Sequence, residues 1–278
     1  MAIHSLVCIK QVPDTTQVRI DPETGSLIRQ GIPSVINPFD LHAVEAGLAI
    51  RDQHGGSVTA LSMGPPQAEE SLRKVLGYGA DRAVLLTDRA FAGADTLATT
   101  QALAAAIRRI DSERHVDLVI CGKQSIDGDT GQVGPGLARR LGMSQLTYVC
   151  SMDEIDTKAG WVRAWRQRED GRELMEAHLP AALTVTETCN RIRYASMPDL
   201  IYAQETEVET WTADDIEVDR AKLGLKGSPT RVKKIFAPPS RGAGEILSDS
   251  ATEAAEAAAL LMDRLAQRGL KFGAGSRG

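Results

Sequence analysis

The chain has 278 residues and a formal net charge of −5 at pH 7. This length predicts one large domain, or one domain with an arm, and the acidic balance argues against nucleic acid as the main partner. We expect no transmembrane segment, because no window approaches the roughly 18 apolar residues of a membrane helix, and no signal peptide, because MAIHSLVCIK begins a strand at once. The four cysteines form no CxxC pair, and no Cys or His pair has ligand spacing; this favours a reduced, cytoplasmic protein without a metal site.

Apolar runs and helical patterns alternate over the first 150 residues. The runs predict buried strands at Ser5–Ile9, Ser57–Met63, Ala83–Leu86, Val116–Cys121 and Leu146–Val149. Helices are predicted to begin at Asn37, which is expected to cap, at Gln67, after the cap Asp95 and at Gln132. A hairpin with strands Val18–Asp21 and Ser26–Arg29 precedes the first helix. The alternation predicts an α/β fold with a doubly wound parallel sheet.

After residue 150 the pattern changes. Trp161–Gln167 and Arg172–Ala177 surround a Glu-Asp-Gly turn and predict a small antiparallel addition. Leu179–Thr186 is a further strand, Arg191–Ala203 is interpreted as irregular, and Glu205–Trp211 is expected to contain a surface strand. A Pro/Gly linker at 237–244 precedes a helix whose apolar face follows helical spacing, so the chain is expected to end in an arm with a helix.

The stretch Val116–Gly142 passes from a buried strand through a loop rich in Gly and Asp into a helix. This arrangement aims backbone N–H groups and a helix N-terminus at an anion, and Gly128, Gly131 and Gly134 allow a ligand to approach the main chain. The loop matches neither GxGxxG nor GxxxxGK[ST]. A nucleotide or phosphate site and a simple turn that needs small residues are both consistent with the pattern.

Ligands of doubly wound sheets bind beyond the carboxyl ends of the strands. Cys8–Lys10, Met63 and Cys121–Thr130 are all predicted to lie at that edge, and Asn37–Asp40 joins them if the hairpin returns the chain there. Lys10 and Lys123 follow strand ends, where a positive charge can face a phosphate. Lysines are also common at such positions without a function, so both are left outside the predicted core site.

Several motifs in one order resemble the β subunit of electron-transfer flavoprotein. They are IKQVPD at 9–14, VINPFDLHAVEAGL at 35–48, LSMGPPQAEESLRKVLGYGADRAVLL at 61–86, ICGKQSIDGDTGQVGPGLARRLG at 120–142, LPAALTVTE at 179–187 and RYASMPDLIYA at 193–203. The resemblance covers most of residues 1–203. It implies an adenine-nucleotide-binding domain at 1–203, and an arm at 204–278 that contacts an α subunit.

The resemblance also implies the residues that contact the nucleotide. They are Cys8, Asn37, Pro38, Phe39, Asp40, Met63, Ser125, Ile126, Asp127, Gly128, Asp129, Thr130, Gln132, Val133, Gly134 and Pro135. No residue is assigned a catalytic role, because the flavin carries the chemistry and the protein positions it.

Two variants of the family differ in the ligand that they imply. The simpler type binds AMP, whereas the electron-bifurcating type resembles DGDTAQVGPE in the loop, has Asp after NPF, and binds FAD. This chain reads DGDTGQVGPG and has Asp40 after Phe39, which favours FAD with NADH as the electron donor. Gly131 and Gly136 depart from the bifurcating pattern, and this bears on the NADH contacts more than on the FAD contacts.

The resemblance to the bifurcating type implies that electrons pass to the FAD of the α subunit, then to an acyl-CoA dehydrogenase-type flavoenzyme, with a second branch to ferredoxin or flavodoxin. The first alternative is a subunit that holds AMP as a structural ligand. A second alternative is a stress-type ATP-binding protein or a small adenylating enzyme, whose phosphate loop would face a catalytic lysine or metal-binding carboxylates; Lys123 and Asp127 or Asp129 are the candidates.

Overall fold

The computed structural model describes residues 2–14, 19–20, 27–28, 33–233, 244–247 and 253–270. The chain forms two compact units, Met1–Ile235 and Phe236–Gly278, and each unit is described by itself.

The strands of the first unit are, in chain order, β1 Ile3–Ile9, β2 Gln11–Pro13, β3 Arg19–Ile20, β4 Leu27–Ile28, β5 Ser34–Ile36, β6 Gly56–Met63, β7 Arg82–Leu86, β8 Leu118–Gly122, β9 Ser144–Asp156, β10 Trp161–Arg168, β11 Gly171–His178, β12 Ala181–Val185 and β13 Glu209–Trp211. Its helices are α1 Pro38–His54, α2 Glu69–Gly77, α3 Thr96–Glu113, α4 Val133–Leu141, α5 Met197–Glu205 and α6 Gly224–Gly227.

Among the described residues, a nine-stranded sheet runs in the order β11-β10-β9-β12-β8-β1-β6-β7-β13. In this sheet, all neighbours along the series β9-β12-β8-β1-β6-β7-β13 are parallel. The pairs β9–β10 and β10–β11 are antiparallel. The predicted doubly wound parallel sheet with a small antiparallel addition is therefore confirmed. β9 is longer than predicted because it continues past the parallel sheet to pair with β10.

The parallel strands are apolar on both faces because helices cover both. α1 and α2 pack on one face with residues such as Val44 and Leu72, and α3 and α4 pack on the other with residues such as Ile107 and Leu137. Every residue of β1 is buried, and Cys8 contributes to the core on the α3 and α4 side. Burial on both sides explains the continuous apolar runs of the sequence.

The chain between β1 and α1 returns to the edge that it left. β2 and β5 pair antiparallel, with Gln11 opposite Ile36, so α1 begins beside the carboxyl end of β1. Asn37–Asp40 were expected to join the site if the chain returned to this edge after the hairpin, and it does return there. β3 and β4 also pair antiparallel, as predicted for the hairpin, whose turn lies outside the described residues.

The prediction that 191–203 is irregular is confirmed for 191–196 but was wrong for 197–203, because α5 begins at Met197. The Ser196 side chain accepts a hydrogen bond from Asp199 N, and Pro198 lies in the first turn. Both features favour a helix start.

The strand expected at the surface within Glu205–Trp211 is β13, an edge strand of the sheet in which Thr210 is exposed and Trp211 is buried. Glu209–Trp211 pairs in parallel with β7, and the Trp211 side chain is only 5% exposed. The Arg109 guanidinium lies 3.9 Å from the centroid of the Trp211 ring, and the Arg82 guanidinium donates to both carboxylate oxygens of Glu209 at 2.6 and 2.8 Å. The first compact unit thus extends past residue 203. The expectation that the arm at 204–278 contacts an α subunit stays a prediction.

The second unit contains helix α7, Ala254–Gln267, and confirms the predicted terminal helix. Arg264 and Arg268 both pair with Glu245. No residue of α7, all of which is described, is buried, and Leu260, Leu261 and Met262 are exposed. The linker predicted at 237–244 lies outside the described residues except for Gly244. None of the described helices combines the length and the apolar character that crossing a bilayer requires.

We predict that Trp211→Ala lowers the free energy of unfolding by about 3–5 kcal/mol, because it removes a buried aromatic side chain and leaves a cavity. Trp165→Ala is the matched control, since Trp165 lies in the sheet but is 37% exposed; we expect a loss of about 1–2 kcal/mol. Urea unfolding of the full chain measures both. A loss of no more than about 1 kcal/mol for Trp211→Ala would contradict the view that this side chain is part of the core.

Candidate nucleotide-binding site

The carboxyl ends of β1, β6 and β8 meet at one edge of the sheet. Cys8 pairs with Cys121 in the register of β1 and β8, and Met63 ends β6 and packs against the core on the α3 and α4 side. A hydrogen bond with Cys8 and burial together raise the pKa of the Cys121 thiol. The thiol therefore stays protonated and unreactive, and the pair forms an apolar floor at this edge.

Asn37 connects the start of α1 to the loop after β8. Its side chain is fully buried. Oδ1 accepts a hydrogen bond from Ile126 N at 3.1 Å, and Nδ2 donates to Gln124 O at 2.8 Å. The expectation that Asn37 caps α1 was wrong, because its side chain makes no cap hydrogen bond and is turned toward the loop. Two fixed bonds hold the base of the loop instead.

Asp40 joins two strand ends. Its Oδ2 accepts a hydrogen bond from Lys10 N at 2.8 Å, and its Oδ1 accepts one from Gly122 N at 3.2 Å. Burial raises the pKa of this carboxyl to about 7, although both hydrogen bonds act to lower it. A Cβ atom at Gly122 would lie 2.4 Å from Asp40 Oδ1, so the close approach requires glycine.

The loop beyond Gly122 folds back on itself. Ser125 O accepts hydrogen bonds from Gly128 N at 3.3 Å and Asp129 N at 2.8 Å, and Asp129 has a φ of 50°. Both acidic side chains have donors within the chain. Lys10 Nζ lies 2.7 and 2.8 Å from the carboxylate oxygens of Asp127, and Gln124 Nε2 donates to Asp129 Oδ1 at 2.9 Å.

Helix α4 begins directly after this loop and lies very close to the sheet. A Cβ atom at Gly134 would lie 2.2 Å from Thr184 Cγ2 on β12. Gln132 precedes the helix and, within the continuously described stretch 33–233, its side chain makes no cap hydrogen bond. The first N–H groups of a helix have no partner inside it. An uncapped helix start at this edge can therefore donate to an anion.

The structure brings the predicted site residues to one edge. Pro38 is exposed and Phe39 is half-buried, with Lys123 Nζ 4.5 Å from the centroid of its ring. Thr130 and Gln132 are exposed, and Val133 and Pro135 are half-buried. Their roles as ligand contacts stay predictions.

The sequence did not point to all the residues that build this edge. Gly122 and Gln124 lie in the range predicted for this edge, but their contacts with Asp40 and Asn37 were not predicted. No local pattern marks Thr184, which meets Gly134 only in the assembled sheet. Lys10 and Lys123 were recognised at strand ends, but their partners, Asp127 and Glu187, were not. Two cavities of about 110 and 250 Å³ lie elsewhere, and neither is lined by a predicted nucleotide contact.

A doubly wound sheet with a glycine-bounded loop and an uncapped helix start at its carboxyl edge defines an α/β protein of the nucleotide-binding architecture. Residues 24–216 match the model of the electron transfer flavoprotein domain, and the chain belongs to this family.

Similar proteins cover nearly the whole chain. It is 53% identical to protein FixA of Bradyrhizobium diazoefficiens, over 92% of this chain and 89% of the relative. It is 49% identical to electron transfer flavoprotein subunit beta of Clostridium acetobutylicum, over 91% of this chain and 95% of the relative. The subunit of the same name from Thermoanaerobacterium thermosaccharolyticum is 48% identical, over 96% and 99% of the two chains.

We predict that Gly134→Ala lowers the free energy of unfolding by about 1–3 kcal/mol, because the new methyl group overlaps Thr184 Cγ2. Thr184 cannot rotate away without losing the hydrogen bond from Tyr148 N to its Oγ1, which measures 3.0 Å. Thr184→Ser removes Cγ2, keeps Oγ1, and is expected to restore much of the stability of Gly134→Ala.

Gly128→Ala is the control for that variant. A Cβ atom at Gly128 would lie 3.5 Å from its nearest neighbour, Ser125 Oγ, so a change within about 0.5 kcal/mol is expected. Urea unfolding compares the variants. A loss at Gly134 that Thr184→Ser does not reduce would contradict this packing argument.

Asp40 is expected to make stability depend on pH. The pKa of Asp40 in the folded protein is about 7, whereas its pKa in the unfolded chain is about 4. The protonated carboxyl therefore contributes its full stabilisation below about pH 4, and this contribution is lost as the pH rises toward and through about 7. Asp40→Asn cannot titrate. The stability of wild type relative to this variant should fall by about 3 kcal/mol between about pH 5 and pH 8.

Urea unfolding at several pH values measures this difference. Gly128→Ala, which changes no ionisable group, should show a nearly constant difference from wild type. A constant difference for Asp40→Asn as well would mean that Asp40 is ionised throughout this range.

Proposed function

We propose that the chain is the β subunit of a heterodimeric electron-transfer flavoprotein, and that it holds FAD at the carboxyl edge of its sheet. The observation that carries the proposal is the uncapped start of α4, fixed against β12 at Gly134, beside a loop that Asn37 holds. Family membership and the names of the relatives support a β subunit that pairs with an α subunit.

The residues present fit the adenylate and diphosphate parts of such a cofactor. Helix α4 begins at Val133 without a side-chain cap, and in this proposal the N–H groups of Val133 and Gly134 donate to the diphosphate. Cys8 and Met63 provide an apolar floor. Of the two carboxylate oxygens of Asp129, Oδ1 has a donor among the described residues and Oδ2 has none. Oδ2 can therefore accept a hydrogen bond from a ribose hydroxyl.

A bound FAD would supply the redox chemistry, by two-electron exchange with a nicotinamide and one-electron exchange with redox partners. The chain itself binds, orients and shields the cofactor, and the acidic groups of the loop already have donors, so none is assigned to acid–base chemistry. In this proposal electrons pass to the FAD of the α subunit and onward to an acyl-CoA dehydrogenase-type flavoenzyme. A second branch delivers electrons to ferredoxin or flavodoxin. Asp40 after Phe39 and the DGDT sequence of the loop support FAD over AMP.

One observation favours the alternative, a β subunit that holds AMP as a structural ligand. Gly136 stands where the bifurcating pattern has Glu, and a Cβ atom at Gly136 would lie 2.8 Å from Thr100 Cγ2. The helix surface of the bifurcating type therefore cannot form here unless Thr100 moves. An adenylating or stress-type ATP-binding role is disfavoured, because Lys123 pairs with Glu187 at 3.2 Å and lies over Phe39.

The test is the nucleotide content of the purified heterodimer after heat denaturation. We expect two FAD per heterodimer. One FAD and one AMP would replace the bifurcating assignment with the alternative, and the absence of any second adenine nucleotide would overturn both. A heterodimer that carries Gly134→Ala should release closer to one FAD than to two if this chain holds FAD, or unchanged FAD with less AMP if it holds AMP.

A further inference from the structure

We propose that Lys10 is a phosphate-binding residue of this site, and that Asp127 occupies its amine until the phosphate of a ligand takes over that contact. The inference rests on the proposed binding of an adenine nucleotide at this edge. It adds a residue that the predicted core site left out, and it assigns that residue to the anionic part of the ligand.

The backbone of Lys10 is fixed at the rim of the site. Its N–H donates to Asp40 Oδ2 at 2.8 Å, and its carbonyl oxygen accepts from Asn37 N at 2.9 Å. Lys10 directly follows β1, which lies between β8 and β6 in the sheet. Its side chain therefore starts from a rigid point beside the glycine loop and the start of α4.

The ion pair with Asp127 is short but easily exchanged. Lys10 Nζ lies 2.7 Å from Asp127 Oδ1 and 2.8 Å from Oδ2. The Lys10 side chain is 48% exposed and that of Asp127 is 31% exposed. Pairs at such exposure stabilise a fold only weakly because water screens them, so a more highly charged phosphate can compete for the amine. A lysine ammonium also has three donors, and two are used by Asp127.

The loop needs a cation if it is to accept an anion. It carries Asp127 and Asp129 beside the N–H groups that face the proposed phosphate, and like charges repel. Gln124 donates to Asp129 but brings no charge. Lys123, the other cation at this rim, is held by Glu187 and by the ring of Phe39. Of these two lysines, Lys10 is the one whose amine contacts an acidic side chain of the loop, that of Asp127.

The inference is tested by calorimetric titration of the full chain with adenosine, AMP and ADP. For Lys10→Ala we expect AMP and ADP to bind about tenfold more weakly, as for the loss of one charge-assisted hydrogen bond, while adenosine binds as to wild type. The salt dependence of ADP binding should also become shallower. Lys10→Arg should retain most of the affinity. Lys158→Ala, at an exposed turn lysine remote from the edge, controls for the change in net charge.

Asp127→Asn gives the opposite expectation. Removing the competing carboxylate should tighten AMP and ADP binding several-fold, by relief of charge repulsion, and leave adenosine unchanged. Equal weakening of all three ligands would assign Asp127 to the ribose and overturn its exchange with phosphate. An equal loss of adenosine and ADP affinity in Lys10→Ala would overturn the role of Lys10 while leaving the proposed function intact. If wild type binds no adenine compound, the proposed function fails first, and the inference fails with it.

Discussion

The buried carboxylate of Asp40 is the interaction on which the site depends. It accepts hydrogen bonds from Lys10 N and Gly122 N, and so it sets where β1 and β8 end relative to α1. The Lys10 side chain and the loop after β8, which are proposed to contact the ligand, both start from these atoms. Any displacement of Asp40 would therefore move the Lys10 side chain and the glycine loop together.

This arrangement places an ionisable group where its charge is costly. Burial raises the pKa of Asp40 to about 7, which makes part of the stability of the fold sensitive to pH near neutrality. Asn37 achieves a related connection without a charge, because its amide both donates to and accepts from the loop backbone. The loop is thus organised by buried side chains of a helix start, and its own glycines only permit the close approaches.

The sequence predicted the parallel sheet, its antiparallel addition and the edge at which Cys8, Met63 and the loop meet, because buried parallel strands and glycine loops leave local patterns. Local patterns could not reveal which partner a polar side chain chooses. Asn37 was expected to cap α1 and instead forms hydrogen bonds with the backbone of Gln124 and Ile126, which lie 87 and 89 positions further along the chain. The burial of Trp211 depends on pairing with β7, and the contact of Gly134 with Thr184 joins α4 to β12; both require the assembled sheet.

The contacts of Asn37 and Asp40 have a consequence for protein engineering. A transplant of residues 122–136 alone into another doubly wound sheet would carry the glycines but none of the buried groups that orient them. The recipient would also need residues 34–40, together with a small residue or a hydroxyl at the position of Thr184. The unit that can be moved between scaffolds is therefore a pair of segments far apart in the chain, and the loop by itself is not a module.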